Sequence, residues 1–516
     1  MDTTGLASPD YRIEKMMSSF GLAFSICIVY SLFGSVINHR PVVIVVSFDG
    51  FRHDFVKDLT LTKFHSLMKE GSHSDYMINV FCTKTFPNHQ SIATGLYPES
   101  HGVIDNSLYD PKYGRRLNFS AELYEYDDVI PIWILNEVAG NGSYSGVMMW
   151  PGGEFPYGNS SVDYVSLKNK KVMPTFSQKW DISVPWETRV DIVMSWITHP
   201  ETPTNLVMLY FEEPDSTSHI YGPESEIVKK KLHDLDSILS YLCQKIESMK
   251  LKDIVNVILV SDHGMKTVTP SEIIDLSAGV NTSMYTVPST SPVLHIYPNE
   301  GYEDEVYKQL STMATKNSFK VYKKNDLPER WHIKNSRRTP PILAVADEGY
   351  IFEDFYKTMD YYRKQYNITP SRNQTYGVHG YDNAVESMHP IFLAWGPLIR
   401  KGYKIDPFNS VDIFPLVSKI LNLPHHRVNG TLYNIVNILK VDDPSSSGFS
   451  SIALIGGIAA LAAVIIGGAG IVTSSLLSKR KSSNGYDRQL EQNQCQSILK
   501  EMGIEEQRLL SDSEED

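Results

Sequence analysis

Five apolar stretches, rich in branched residues, alternate with polar segments along the chain. They cover 41–50, 145–152, 205–215, 255–264 and 390–396. Runs that are apolar on both faces are typical of buried parallel strands. Between the third and fourth stretches, apolar residues recur at steps of three and four from Val228 to Ile246, which predicts a crossover helix. The pattern therefore predicts an α/β fold with a mainly parallel central sheet flanked by helices.

Acidic residues and histidines stand where several of these strands should end. They are Asp49, Asp215, His219, Asp262 and His263, to which the later segment beginning at His379 adds one more. Ligands of open α/β sheets collect beyond the carboxyl ends of the strands, so we expect these side chains to converge. We expect Asp215 and His219 to come from a strand end and the turn after it, and Gly264 to permit an irregular turn. Mixed imidazole and carboxylate ligation suits zinc best, and six such residues are enough for two ions.

A candidate nucleophile, Thr85, stands between Lys84 and the rigid Phe86-Pro87 pair. A threonine hydroxyl reacts poorly at neutral pH unless a base or a metal removes its proton. A metal pair about 3.5–4 Å apart can bind the nucleophile on one ion and a substrate oxygen on both, which suits displacement at phosphorus. The plainer alternative, a loop threonine before a turn proline, holds for most such stretches taken alone.

The two ends of the chain predict a membrane topology. Residues 20–37 are apolar and follow Lys15, which is typical of a secretory signal or signal anchor. Residues 452–472 carry no charge and are long enough to cross a bilayer, and the basic cluster 479–481 after them marks the cytoplasmic side. The predicted order is signal peptide or anchor (1–40), catalytic domain (41–440), linker (441–451), transmembrane helix (452–474) and cytoplasmic tail (475–516). This predicts a single-pass type I plasma-membrane protein with an extracellular body.

Sequons, charge and cysteines refine that prediction. All seven Asn-x-Ser/Thr sequons lie between the two apolar ends, as in an extracellular glycoprotein; they begin at Asn118, Asn141, Asn159, Asn281, Asn367, Asn373 and Asn429. A formal net charge of −12 argues against non-specific binding of a nucleic-acid polymer. Only Cys82 and Cys243 could pair within the body, and Cys243 borders the apolar face of the predicted helix, which favours a free thiol. The tail pair Leu509-Leu510, after acidic residues, resembles an endocytic signal read by a sorting adaptor.

Taken together, the motifs resemble the ectonucleotide pyrophosphatase/phosphodiesterases of the alkaline phosphatase superfamily. The resemblance covers roughly 42–433 and rests on Val-Ser-Phe-Asp49-Gly, Thr-Lys-Thr85-Phe-Pro-Asn-His, Glu-Glu-Pro-Asp215, Ser-Asp262-His263-Gly-Met and His379-Gly-Tyr-Asp-Asn. It implies an alkaline phosphatase-like fold and two zinc ions, one bound by Asp49, Thr85, Asp262 and His263 and the other by Asp215, His219 and His379. It also implies that Thr85 is the nucleophile, that Asn106 helps to hold the phosphoryl oxygens and that Phe86 stacks on a nucleobase.

Two departures from the family pattern bear on function. Ser218 stands before His219 where the family usually has glycine, and Trp180 stands where the family places a tyrosine opposite the base. The resemblance implies hydrolysis of phosphodiester or pyrophosphate bonds of nucleotides through a phospho-threonine intermediate, with nucleoside 5′-monophosphates as products. Two alternatives remain: a choline-lipid phosphodiesterase of the lysophospholipase C type, and a cell-surface adhesion protein with an inactive catalytic fold.

Overall fold

The apolar runs form a central sheet of eight strands. In chain order they are β1 (Val42–Phe48), β2 (Ser72–Ser74), β3 (Ser145–Met148), β4 (Phe176–Gln178), β5 (Leu206–Phe211), β6 (Val255–Val260), β7 (Phe392–Trp395) and β8 (Tyr403–Ile405). Their order across the sheet is β4-β3-β5-β1-β6-β7-β2-β8. β1 pairs in parallel with β5 and β6, starting at Val43↔Leu206 and Val42↔Val255. β7 is antiparallel to both its neighbours, so the sheet is mixed, although the strands around β1 are parallel as predicted.

Helices cover both faces of the sheet. They are α1 (Thr62–Glu70), α2 (Thr85–Thr94), α3 (Pro98–His101), α4 (Ala121–Tyr124), α5 (Ile132–Val138), α6 (Trp186–Ile197), α7 (Asp215–Tyr221), α8 (Glu226–Ser248), α9 (Glu303–Ala314), α10 (Phe355–Tyr366) and α11 (Ile413–Ile420). Successive strand side chains point to opposite faces. Val43 and Val45 therefore join a core with α2, α5 and α11, while Ile44 and Val46 join a core with α1, α6 and α8.

The crossover helix predicted from Val228 to Ile246 is confirmed within α8. Its first turn is capped by the Ser225 hydroxyl, which accepts a hydrogen bond from the Val228 N–H at 3.3 Å. Cys243 lies half-buried on this helix, and both it and Cys82 are free thiols in the described part of the chain, as predicted for Cys243.

A second, antiparallel sheet was not predicted. Its four strands are Tyr285–Thr286, Val293–Pro298, Ile342–Ala346 and Phe319–Lys323, in that spatial order, and they share a separate core with α9 and α10. In the part of the chain that the structure describes, six two-stranded pairs complete the strands: Met77–Ile78 with Phe408–Asn409, Leu108–Asp110 with Arg115–Leu117, Tyr157–Gly158 with Lys171–Val172, Ser161–Val162 with Val165–Ser166, Lys266–Val268 with Tyr376–Val378, and Ile273–Ile274 with Ile351–Phe352. The fifth pair leads directly to His379.

This computed structural model describes residues 40–140, 142–158, 161–162, 165–167, 170–366, 374–424 and 427–440. The predicted signal segment, linker, transmembrane helix and cytoplasmic tail with Leu509-Leu510 therefore fall outside the described residues. So do the sequons at Asn141, Asn159, Asn367 and Asn373. Within the described ranges, no helix combines the length and apolar character needed to cross a bilayer.

Candidate active site

The three central strands place three carboxylates side by side. Because β1 lies between β5 and β6, their carboxyl ends meet at one edge, where Asp49, Asp215 and Asp262 follow them. Gly50, with φ +69°, makes the turn after β1; a Cβ added there would lie 2.8 Å from the Asp215 Cβ, so only glycine lets the two segments approach. The Gly50 N–H also donates to Asp262 Oδ1 at 3.1 Å. The turn at Gly50 thus follows Asp49, packs against Asp215 and is bonded to Asp262, so it brings the three acids together.

The first group of possible metal ligands is Asp215, His219 and His379. Our expectation of a turn after Asp215 was wrong, since Asp215 begins the helix α7 and His219 lies one helical turn later on the same face. His219 Nε2 lies 3.3 Å and His379 Nε2 3.5 Å from Asp215 Oδ1. The strand pair Lys266–Val268/Tyr376–Val378 brings His379 to this point.

A second group lies next to the first. His263 Nε2 lies 3.4 Å from Asp49 Oδ1 and 3.1 Å from Asp262 Oδ2. Ligand atoms of Asp49, Asp215 and His263 all lie within 4.8 Å of one another, so the two groups adjoin. Gly264 is required for a different reason than we expected: its φ is not positive, but an added Cβ would lie 2.1 Å from the Ser387 carbonyl oxygen.

The three histidines are held in the orientation that metal ligation needs. Each places Nδ1 against a backbone carbonyl: His219 against Gly377 O at 2.8 Å, His263 against Gly264 O at 2.9 Å, and His379 against Thr83 O at 2.9 Å. Because a carbonyl oxygen only accepts, Nδ1 carries the proton and the Nε2 lone pair faces the carboxylates. This second layer of hydrogen bonds is typical of metal-binding histidines.

The carboxylates fit a cation equally well. Asp49 Oδ1, Asp215 Oδ1 and Asp262 Oδ2 are buried without a hydrogen-bond partner in the described structure. The opposite oxygens are occupied at two of them: Tyr210 Oη donates to Asp49 Oδ2 at 2.7 Å, and the His263 N–H donates to Asp262 Oδ1 at 3.0 Å. Buried carboxylate oxygens without donors are costly, and divalent cations would satisfy them. The donor set therefore fits two metal ions.

The electrostatics of the acids agree with this conclusion. Burial, reinforced by the charges of Asp262 and Asp215, raises the pKa of Asp49 well above its usual value. Burial also acts to raise the pKa of Asp215, but the neighbouring histidines, His219 foremost, outweigh it and lower the pKa to about 2. Three acids in so small a volume repel one another, and positive charge between them relieves this repulsion.

His89 lies among these groups but has a different role. Its Nδ1 is 3.4 Å from Asp262 Oδ2 and 2.9 Å from the Thr85 carbonyl oxygen. That carbonyl requires a donor, so Nδ1 is protonated and has no lone pair to offer a metal. His89 Nε2 lies 2.9 Å from Ser47 Oγ. The residue therefore joins α2 to β1 at Ser47, a contact that our sequence reasoning missed.

Thr85 is the first residue of α2 and lies beside the metal-ligand groups. Its Oγ1 is 3.4 Å from His263 Nε2. The amino end of a helix favours negative charge, as on a phosphate. The next N–H along the helix, that of Phe86, donates to Asn106 Oδ1 at 2.8 Å, which joins the predicted nucleophile segment to the predicted phosphate-binding residue.

The aromatic residues predicted to bind a base lie on a more open surface. Phe86 is half-buried, and the centroid of its ring lies 5.4 Å from that of Phe119 and 6.3 Å from that of Tyr124. Trp180 is 55% exposed, and its backbone N–H donates to the Glu154 carboxylate at 3.2 Å. Glu154 precedes Phe155, whose ring lies 5.2 Å from Phe119. Among the described residues no ring contact joins Trp180 to Phe86, and the hydrogen bond to Glu154 links Trp180 only to the segment that carries Phe155.

Several of these residues could not be found from the sequence. Phe119 and Phe155 belong to no periodic pattern, and Tyr210 is one more apolar position of β5 until the structure shows its hydroxyl on Asp49. The acids after the strands and the isolated threonine were the usable signals.

Comparison with known proteins gives a consistent result. The family model described as type I phosphodiesterase/nucleotide pyrophosphatase matches residues 43–382. Human ectonucleotide pyrophosphatase/phosphodiesterase family member 5 is 39% identical over 77% of this chain and 78% of its own. Human bis(5′-adenosyl)-triphosphatase is 36% identical over 76% of this chain and 80% of its own.

A solved structure shares the fold. Murine ectonucleotide pyrophosphatase/phosphodiesterase 5, as an inactive threonine-to-alanine variant in complex with AMP, is 37% identical with a TM-score of 0.68, covering 78% of this chain and 100% of that one. The α/β fold with its mixed central sheet is accordingly alkaline phosphatase-like.

Proposed function

The chain belongs to the ectonucleotide pyrophosphatase/phosphodiesterase family of hydrolases, and we propose that it hydrolyses phosphodiester or pyrophosphate bonds of extracellular nucleotides to release nucleoside 5′-monophosphates. The observation that carries this proposal is the convergence of buried or half-buried acids and oriented histidines on Thr85, at the start of a helix. The relatives are nucleotide pyrophosphatases and phosphodiesterases by name, which supports the same reaction.

We propose two zinc ions as cofactors. Asp49, Thr85, Asp262 and His263 would hold one, and Asp215, His219 and His379 the other. The mixture of imidazole and carboxylate donors, the orphaned carboxylate oxygens and the fixed tautomers support this assignment. When bound, such ions lower the pKa of a neighbouring hydroxyl and neutralise charge on a phosphate.

Thr85 is the proposed nucleophile. Its oxygen loses a proton and attacks the α-phosphorus, the bond from phosphorus to the leaving group breaks, and a phospho-threonine intermediate carrying the nucleoside results. Water then attacks the same phosphorus, which restores the Thr85 hydroxyl and releases the nucleoside 5′-monophosphate. Because Asn106 Oδ1 is used by the Phe86 N–H, its amide nitrogen is the group that can donate to the phosphoryl oxygens.

Phe86 and Trp180 are proposed to hold the base. Stacking uses the face that every base has, so several bases should be accepted, and purines should be favoured for their larger surface. Phe86, Phe119, Phe155 and Trp180 are here called the aromatic surface. With phosphorus beside Thr85 and the base on this surface, the scissile bond lies on the far side of the α-phosphate. The AMP in the murine structure and the name of the human triphosphatase support adenine nucleotides, including dinucleoside polyphosphates, as candidate substrates.

The catalytic body is proposed to lie outside the cell, in a glycosylated, single-pass type I plasma-membrane protein. The ecto- prefix of the relatives supports the location, and the described sequon asparagines Asn118, Asn281 and Asn429 are all exposed. Glycosidase treatment of the cellular protein should increase its mobility, and surface protease should release the body by cutting within 445–451. An unglycosylated, protease-protected body would contradict this topology.

The test of the reaction is a substrate panel with mass-spectrometric identification of products, on the full-length protein in detergent with added zinc. The panel holds a dinucleoside triphosphate, a nucleoside triphosphate, NAD and lysophosphatidylcholine. A nucleoside 5′-monophosphate from the first three supports the proposal. Faster release of phosphocholine would replace it with the lipid alternative, and no turnover of any substrate would favour an inactive surface protein.

A further inference from the structure

A buried ion pair joins the two residues that precede Thr85 and Asn106 in the sequence. Lys84 Nζ lies 2.8 Å from Asp105 Oδ2 and 3.1 Å from Asp105 Oδ1. Lys84 is 2% and Asp105 0% exposed. The pair therefore connects the start of α2 to the loop that carries Asn106, directly behind the reacting groups.

The Lys84 ammonium group is fully used by this arrangement. Besides the two carboxylate oxygens it donates to the Thr290 carbonyl oxygen at 2.7 Å, which accounts for its three protons. A phosphate could recruit Lys84 only by breaking a buried ion pair. Lys84 is thus not a phosphate-binding cation in this structure, despite its place beside the nucleophile.

The pair also reaches the second sheet. Thr290 belongs to the loop before the strand Val293–Pro298, and Ser107, whose N–H donates to Asp105 Oδ1 at 3.2 Å, donates its own hydroxyl to the Pro288 carbonyl at 2.8 Å. His295 of that strand lies 3.7 Å from Asp105 Oδ2, but burial lowers its pKa to about 4, so Lys84 supplies the positive charge. The segment of Lys84, the segment of Asp105 and Ser107, and the segment 288–295 therefore meet at this ion pair.

The stem of Lys84 supports a metal-ligand loop as well. Gly380 follows His379, and a Cβ added to it would lie 3.0 Å from the Lys84 Cε and 3.2 Å from the Lys84 Cγ. The Thr83 carbonyl oxygen, next in sequence, is the one that orients His379 Nδ1. A shift of Lys84 would be transmitted to His379 as well as to Thr85.

We propose that Lys84 and Asp105 are positioning residues, which hold Thr85, Asn106 and the His379 loop in one fixed arrangement without touching the substrate. A buried ion pair is weak evidence for stability, because apolar or neutral side chains of similar volume are often as stable. The pair joins the segments that carry Thr85, Asn106 and His379, and this gives it a geometric role. The catalytic part of this inference rests on the proposed function.

The test is the double variant K84M/D105N, which removes both charges with little change in volume. We expect it to fold and bind zinc. We expect kcat on a nucleotide ester to fall on the order of 10²-fold, since a misplacement of about 1 Å costs that much, with KM within about threefold of wild type. Hydrogen exchange of the segment 84–90 should be faster, because the Phe86 N–H to Asn106 bond loosens.

The matched control is R338M/D110N. Arg338 Nε lies 2.6 Å from Asp110 Oδ2, both side chains are 0% exposed, and the remaining hydrogen bonds of Arg338 include those to the Gly102 and Leu123 carbonyls rather than to Thr85, Asn106 or the His379 loop. This variant should lose stability, because Arg338 also donates to backbone carbonyls, but keep wild-type kcat per folded molecule and wild-type exchange at 84–90. If either double variant does not fold, K84Q/D105N and R338Q/D110N replace them, since these also leave no buried charge unpaired.

Two results would overturn the inference: wild-type kcat per folded molecule in K84M/D105N, or equal exchange at 84–90 in both variants. The exchange measurement does not need a substrate. If the wild-type protein cleaved no nucleotide, the proposed reaction would fail while the exchange experiment still decided whether the ion pair orders the start of α2.

Discussion

The metal-ligand centre and the aromatic surface beside it begin one residue apart, at Thr85 and Phe86, yet they are built differently. At the centre, each histidine is oriented by a backbone carbonyl, Asp49 and Asp262 are nearly inaccessible, and Asp215 is 14% exposed. On the aromatic surface, Trp180 is 55% exposed and is held through its backbone.

The two regions therefore suit different tasks: the rigid centre suits the chemical reaction, and the open aromatic surface suits the choice of substrate. Displacement at phosphorus requires groups that are fixed in place before the substrate arrives. This explains why a backbone carbonyl holds the Nδ1 atom of each histidine. Stacking on a base tolerates imprecise geometry, because any base presents a flat face. Substitutions at the centre should therefore abolish turnover, whereas those on the aromatic surface should change the choice of substrate by smaller factors.

The largest effect is expected from Thr85→Ala. Turnover of a nucleotide ester should fall by about 10³-fold or more, because no other group can form the covalent intermediate, while zinc content and fold are retained. The control is Thr94→Ala at the other end of the same helix, where the hydroxyl bonds to the Gln90 carbonyl and the Leu96 N–H and its loss should leave turnover unchanged. Activity of Thr85→Ala within tenfold of wild type would exclude Thr85 as the nucleophile.

The next effect concerns the metal content. Chelation should inactivate the protein and zinc should restore it, and elemental analysis should find two zinc ions per chain, falling to one in His379→Ala. His101→Asn is the control, since His101 is a buried histidine whose two ring nitrogens are bonded to Ser91 and to the Val103 N–H rather than directed at the carboxylates. Full activity in a metal-free preparation would refute the two-metal proposal.

A smaller effect is expected when Asp49 loses the hydrogen bond that it accepts from the Tyr210 hydroxyl. Burial and then the charge of Asp49 raise the pKa of Tyr210 well above its usual value, so its hydroxyl remains a donor throughout the working pH range. Tyr210→Phe removes this bond without changing the packing and should weaken zinc binding or activity about 10- to 100-fold. In Tyr157→Phe, which loses a buried hydroxyl bonded to Gly152 O instead, zinc binding should be unchanged. Equal effects would show that Tyr210 acts only on stability.

The most selective effect belongs to the aromatic surface, because it is confined to substrates that carry a base. Trp180→Ala should remove stacking of roughly 1–3 kcal/mol, so cleavage of a nucleotide ester should fall about 5- to 150-fold. Cleavage of a nitrophenyl phosphate diester without a base should be nearly unaffected. Tyr433→Ala, at an aromatic residue that is 84% exposed, is the control. An equal loss on both substrates would place Trp180 outside the base site.

The same contrast explains what the sequence could predict. The strands around β1 and the acids after them follow from local apolar runs and from the rule that strand ends converge, so the residues that meet at the centre were identifiable. The antiparallel direction of β7 could not be predicted, because an apolar run does not show which way its strand runs in the sheet. The helix α7 could not be predicted either, since Asp215-Ser-Thr-Ser is polar and follows a proline, which resembles a turn.

Long-range pairs were beyond sequence reasoning for a physical reason. Lys84 and Asp105 are 21 residues apart, and nothing in either segment indicates that their charges are buried together. The aromatic neighbours of Phe86 come from segments near 119, 124 and 155, which only the tertiary fold brings into contact. Buried ion pairs and ring clusters of this kind depend on packing rather than on local pattern.

The central claim is that Thr85 forms a covalent intermediate, and the stereochemistry at phosphorus tests it most directly. A nucleotide ester with a chiral α-thiophosphate is hydrolysed in ¹⁸O-labelled water, and the configuration of the product is determined. Two successive in-line displacements, first by Thr85 and then by water, predict overall retention of configuration. Inversion would show a single direct attack by water and would contradict the account.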